Sequence, residues 1–197
     1  MALDFLMLIR HGERPRRARE AGVAEDGSAC PHSLSVAGWQ RAGALVPLFR
    51  QLAASAPALA VPTCLYACPA TAQAPSRRSV QTLGPLARAL GLEIDTTVEK
   101  QDESRLAACL QRTDGVALVA WSHQGLPALA RAYLADSAAA AQVPAAWPKD
   151  RFDLLWIIDG PSVRRRLQEV GQDLLAGDGA PTGRAPTATG LRPREET

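Results

Sequence analysis

The chain reads as an α/β protein: a three-layer α/β/α sandwich with a mostly parallel central sheet. Three observations predict this. Leu3–Ile9 and Val116–Trp121 are short runs, apolar throughout, as strands buried on both faces require. Stretches with apolar residues at helical spacing separate them, so strands and helices alternate. The length, 197 residues with 47% apolar and 21% charged side chains, suffices for one domain with a real core.

Each element has its own signal. Leu3–Ile9 is rich in branched residues and stops at Arg10-His11-Gly12. Gly12–Ser33 carries Gly, Pro and a burst of Arg, and reads as a loop. Ser35 can cap a helix running to about Ala54, with Leu45, Leu48, Phe49 and Leu52 on one face. Thr63–Ala67 reads as a second strand, and Cys68–Ser76, with its prolines and small residues, as a loop. A helix from about Arg78 to Leu90 ends at Gly91, a C-terminal cap. Leu92–Ile94 is a short strand. Asp102–Gln111 is a helix with an acidic first turn. After the Val116–Trp121 strand comes a helix over Gln124–Leu134. Ala135–Lys149 is a loop or lid, and Phe152–Ile158 a further strand. Val163–Leu175 fits either a helix, with Val163, Leu167, Val170 and Leu174 on one face, or an antiparallel edge strand, because Gly171 interrupts. The domain is expected to span 1–176. Residues 177–197, rich in Gly, Pro, Thr and charge, are expected to be a disordered tail.

Composition excludes several classes. A net charge of +2 is too small to imply nucleic acid. No apolar run reaches the ~20 residues that span a bilayer. Met1–Ile9 lacks a basic leader and carries Asp4, so a secretory signal is not expected and a cytoplasmic location is. Cys30, Cys64, Cys68 and Cys109 lack zinc-ribbon spacing and read as free thiols. Lys100 and Lys149 are the sole lysines, so basic character rests on arginine, which suits bidentate contact with phosphate or carboxylate.

Three basic elements follow predicted strands: Arg10-His11-Gly12, the loop leading to Arg77-Arg78, and Ser122-His123. If those strands are parallel, all three emerge at one edge of the sheet, beside helix N-termini that favour anions. Two histidines and several arginines then converge on one pocket with the charge of a phosphate site. A neutral imidazole there can accept a phosphoryl group and divide a hard displacement into two easier ones. Arginines and a second histidine would stabilise the charge on the oxygens in transit. His32 reads as a surface residue, Arg77 as pointing away, and Arg14, Arg16, Arg17 and Arg19 as either a solvated loop or an anion-attracting rim.

The run Leu8-Ile9-Arg10-His11-Gly12-Glu13 resembles the signature of the histidine phosphatase superfamily, which includes the cofactor-dependent phosphoglycerate mutases. The resemblance continues at Leu34-Ser35-x-x-Gly38-x-x-Arg41-Ala42, at Arg78-Ser79-Val80-Gln81-Thr82, and at Ser122-His123-x-Gly125. Trp147-Pro148 to Asp159 looks like the small phosphatase branch. The resemblance implies a phosphoglycerate mutase-like fold, with His11 as the phosphorylated nucleophile, Arg10 and Arg78 as phosphate ligands, and His123 as second histidine of the pocket. Many members place a Glu in a Leu-x-Glu pattern well past the second arginine, followed by Gly-x-Trp-Glu, a segment missing here. Asp102 or Glu103 can take the place of that proton donor, and Glu103 has the better reach; Asp102 can equally cap a helix, with Glu103 on its first turn.

The expected function is therefore hydrolysis of phosphomonoesters through a phosphohistidine on His11. Mutase-type phosphotransfer and non-catalytic phosphate binding are the alternatives. A metal held by His11, His32 and His123 is disfavoured, since the neighbouring arginines repel a cation. No metal or organic cofactor is implied. The expected partner is a small phosphorylated substrate or a phosphoprotein, not nucleic acid or membrane.

Overall fold

A computed structural model describes residues 3–16, 20–52, 59–159 and 165–179. It is an α/β fold built on one mixed sheet of six strands: β1 (Leu3–Arg10), β2 (Cys64–Ala67), β3 (Ile94–Asp95), β4 (Gly115–Trp121), β5 (Leu154–Asp159) and β6 (Arg166–Gly171). Its α-helices are α1 (Val36–Pro47), α2 (Arg78–Leu90), α3 (Glu103–Leu110) and α4 (Leu126–Tyr133). The strand order is β3-β2-β4-β1-β5-β6. β1, β2 and β3 join the parallel part through β4 and β2, whereas β5 runs antiparallel to both β1 and β6.

Strand alternation divides the core. Leu6, Leu8, Val119, Trp121 and Trp156 pack in one apolar cluster with Leu106 and Leu110 of α3 and Leu126, Leu129 and Tyr133 of α4. Their neighbours Met7, Ile9, Leu118, Ala120 and Ile157 pack in another with Leu45 of α1, Phe49, and Leu83 and Leu86 of α2. Because consecutive strand residues face opposite ways, both sides of the central strands must be apolar.

Two sequence expectations resolve on local physics. Val163–Leu175 contains strand β6, not a helix: Leu167 packs against one cluster and Val170 against the other, which residues three apart do in a strand and not on one helix face. Val163 lies outside the described residues. Helix α1 stops at Pro47, short of Ala54, and the chain continues as a wider π-type turn over Leu48–Leu52. Proline has no N–H to give and its ring crowds the preceding turn. Residues 53–58 lie outside the described set. The lid segment contains a short 3-10 turn, Ala138–Gln142.

The start of α1 locks the loop after β1. Ser35 caps the helix by accepting from the Gly38 N–H at 3.2 Å, and its hydroxyl donates to the Glu13 carbonyl at 3.1 Å. A Cβ on Gly38 would collide with the Glu13 backbone, so the close crossing requires glycine there. One turn later Arg41 is buried and donates to Glu13 (Nη2–Oε1, 2.7 Å), to Asp178 (Nη2–Oδ1, 2.7 Å) and to Gln172 (Nη1–Oε1, 3.2 Å). Burial works against both the guanidinium and the Asp178 carboxyl, yet their contact overcomes it, holding Arg41 above its ordinary range and Asp178 below its own. Asp178 also accepts the N–H groups of Leu174 and Leu175. Residues 177–179, the first of the expected tail, thus dock on α1; 180–197 lie outside the described residues.

Arg41→Met would leave the Glu13 and Asp178 carboxylates without their shared cation. Removing one partner of a buried ion pair costs about 3–5 kcal/mol. Urea denaturation should show a loss of that size; a loss comparable to an exposed pair would contradict the clamp.

Candidate active site

The carboxyl ends of β1, β2 and β4 open into a cleft of about 460 Å³. The register explains why. Arg10 lies opposite Trp121 and Ala67 opposite Ala120, so the three parallel strands end level. Arg10 and His11 leave β1, Cys68 follows β2, and Ser122 and His123 follow β4; all line the cleft. Arg78, at the first position of α2, completes the set that the sequence had singled out.

His11 is buried, and its Nδ1 lies 2.8 Å from the Gly12 carbonyl oxygen. A carbonyl only accepts, so Nδ1 carries the proton and Nε2 keeps a lone pair. Burial lowers the ring's pKa to about 3; the Gly12 contact opposes this, and the charges of Arg10 and Arg78 assist it. The imidazole is neutral at any ordinary pH. Its backbone N–H donates to the Trp121 carbonyl at 3.1 Å, extending the β1–β4 ladder by one residue.

Arg10 is 2% exposed yet makes no ion pair among the described residues, though the Asp150 and Glu13 charges act on it. Its guanidinium stacks on the Phe152 ring, 3.7 Å from the centroid, and Nη1 donates to the carbonyls of Lys149 and Arg151. Its Nε–H is buried without any acceptor. Burial, aided by nearby Arg14, lowers its pKa to about 10. A buried N–H without a partner carries a desolvation cost of about 1–3 kcal/mol that an anionic oxygen in the cleft would relieve.

Helix α2 explains the spacing of the third motif. Arg78, Gln81 and Thr82 fall on one face at i, i+3 and i+4. Thr82 Oγ1 accepts the Gly12 N–H at 2.8 Å and donates to the Arg78 carbonyl at 2.6 Å. Gln81 accepts the Leu34 N–H at 2.9 Å and donates to Ser33 Oγ at 2.9 Å. Arg78 donates to the carbonyls of Ser33 (Nε, 3.0 Å) and Pro31 (Nη2, 2.6 Å). Burial and then Arg14 hold its pKa below the usual arginine value. One helical face therefore fixes both the β1 exit and the 31–34 loop.

Glu103 stands apart from this set. It opens α3, does not line the cleft, and its Oε1 accepts the Trp121 indole N–H at 2.9 Å. The same oxygen occupies the place of a side chain at Gly125, so it braces the turn behind His123. Asp102 is exposed, faces Arg105 at 3.9 Å and makes no side-chain cap bond. Neither carboxyl is brought to His11.

The cleft also gathers residues that the sequence reading had placed on the surface, given only as an alternative rim, or not singled out for the site. His32 lines it, exposed, on the loop tied down by Arg78; the Arg77 N–H also donates to the His32 carbonyl at 3.0 Å. Arg14 lines it as a rim residue, whereas Arg17 and Arg19 lie outside the described residues. Lys100 and Lys149 line it from two separate connections. No Asp or Glu lines it among the described residues. His123 is half-buried; burial first, then the charges of Arg10, Arg14, Lys100 and Lys149, lower its pKa. Among the described residues, no three His, Cys, Asp or Glu side chains are grouped to hold a metal ion, and no helix is long and apolar enough to cross a membrane.

No model of a known protein family matches the chain, and no curated protein matches it significantly.

His11 should stay neutral, with its proton on Nδ1, at about pH 5, because burial disfavours the imidazolium. Long-range 15N–1H NMR reads this directly. A ring that titrates near the ordinary value of 6.5 would contradict the buried geometry.

Proposed function

We propose that the protein is a phosphatase of the histidine phosphatase type, acting on phosphomonoesters through a phosphohistidine on His11. The observation that carries this reading is the pairing, in one cleft that no carboxylate among the described residues lines, of a neutral imidazole with a free Nε2 and a buried guanidinium with an unsatisfied N–H. Nucleophile and anion holder are then in place together, which is what phosphoryl transfer asks of a protein. The level strand ends and the four ordered motifs support assignment to that superfamily. The two apolar clusters flanking the sheet support the finer reading of its architecture: a three-layer, mostly parallel, phosphoglycerate mutase-like sandwich.

In this reading His11 Nε2 attacks phosphorus, an N–P bond forms, and the P–O bond breaks with its electron pair leaving on the ester oxygen, which takes a proton from solvent. Water then adds to phosphorus, the N–P bond breaks, and its pair returns to Nε2 while inorganic phosphate departs. The Gly12 carbonyl takes the Nδ1–H bond throughout and supports the positive charge on the phosphorylated ring. Arg10 and Arg78 hold the equatorial oxygens. Burial first, then the surrounding cations, hold the His123 pKa below its ordinary value, and a bound phosphate dianion would oppose the cations' share of that shift. The substrate is a small phosphorylated molecule met in the cytoplasm, with no metal or organic cofactor required.

His11→Ala should abolish hydrolysis of p-nitrophenyl phosphate, and rapid quenching of the wild type should trap an acid-labile, alkali-stable phosphoryl label at residue 11. Near-wild-type turnover by His11→Ala would sink the mechanism.

Glu103 gives a second test. Glu103→Gln can still accept the Trp121 N–H, so kcat should change by less than about threefold, whereas loss of a general acid costs about 10²–10⁴. Glu103→Ala strands the buried indole N–H and should lower stability by about 1–3 kcal/mol, read by thermal or urea unfolding.

A further inference from the structure

The chain holds two lysines against twenty arginines, and both lysines line the one cleft. Lys100 sits between β3 and α3, beside the Cys68 thiol; Lys149 precedes β5, and its carbonyl receives the Arg10 guanidinium. Both are exposed, and among the described residues neither ammonium makes an ion pair or a hydrogen bond. Asp150, next in the chain, lines the neighbouring hollow beside Arg14 and Arg16 instead of the cleft. Lys100 and Lys149 therefore add charge that no ion pair among the described residues takes up, at the mouth of a site where Arg10 and Arg78 already suffice for one phosphate.

Side-chain chemistry explains a lysine in such a place. Guanidinium is a rigid planar fork, suited to an oxyanion held in one geometry, and both phosphate ligands of the floor are arginines. An ammonium on a four-carbon stem is a compact point charge that follows its partner. A group that varies in position as the substrate turns over suits the second kind of contact.

We infer that Lys100 and Lys149 form a second anion subsite at the mouth, and that the substrate is a small phosphomonoester carrying a further carboxylate or phosphate. This rests on the phosphatase reading for the identity of the first group. The second group need not react; it orients the ester over His11, and its binding energy is available for that orientation.

Calorimetric titration of the full chain tests this without turnover, using short alkane bisphosphonates of increasing length against monophosphonates of matched length. The best bisphosphonate should bind about tenfold more tightly than its match, since each exposed ammonium–anion contact contributes a factor of a few. In K100M/K149M the ratio of the two affinities should fall below about twofold. A wild-type ratio near one, or a ratio that survives in the double variant, overturns the subsite. Because the ratio is read by binding alone, it fails separately from the phosphohistidine step, which trapping at His11 judges.

Discussion

The parallel pairing of β1 with β4 is the constraint on which the cleft depends. Register sets Arg10 against Trp121, and the His11 N–H continues the ladder onto the Trp121 carbonyl at 3.1 Å. His11 and His123 consequently leave adjacent strands within one residue of the same height. A slip of one residue would turn Arg10 from the Phe152 side to the opposite cluster and bring Ile9 to the cleft. The slip is resisted by burial: Leu6, Met7, Leu8 and Ile9 are each at most 1% exposed, and each would have to exchange clusters.

Helix α2 then converts that register into a site. Its Thr82 holds the Gly12 N–H, its Gln81 holds Leu34, and its Arg78 holds Ser33 and Pro31. The helix ends at Gly91, in the left-handed conformation at φ 67°, which glycine takes without strain. Arg78, which lines the cleft, shares one helical face with Gln81 and Thr82, which hold the neighbouring loops. That arrangement couples the loop bearing His32 to the strand bearing His11 through a single rigid element.

How far these features were legible follows from how local each one is. β1, β4, α2 and the Gly91 cap rest on short-range patterns, and the sequence displays them. Arg10, His11, Arg78 and His123 were readable as a converging set, because the ends of parallel strands follow from the order of elements alone. β6 was ambiguous, since Leu167, Val170 and Leu174 satisfy a helical period, and only the pairing with β5 decides between the two forms. The Arg41–Asp178 contact spans 137 positions and carries no local signal. Lys100, Lys149 and His32 reach the cleft from connections whose paths no periodicity encodes. Glu103 has the right residue type in the right region, but the chain uses its oxygen to satisfy the Trp121 indole, and a sequence does not show which partner a carboxylate chooses.

The two buried arginines show how one side chain serves opposite ends. Arg41 meets two carboxylates, its charge is cancelled, and contact raises its pKa. That makes it a fastener, with nothing left to offer a ligand. Arg10 is buried to the same 2%, but it is held by carbonyl dipoles and an aromatic face, which fix its position without neutralising it. Its pKa falls to about 10, because burial and the nearby Arg14 charge outweigh the opposing pull of the Asp150 and Glu13 carboxylates. A carboxylate within reach would stabilise Arg10 and occupy it. Among the described residues no carboxylate lines the cleft, and the buried Arg10 Nε–H stays unpaired there.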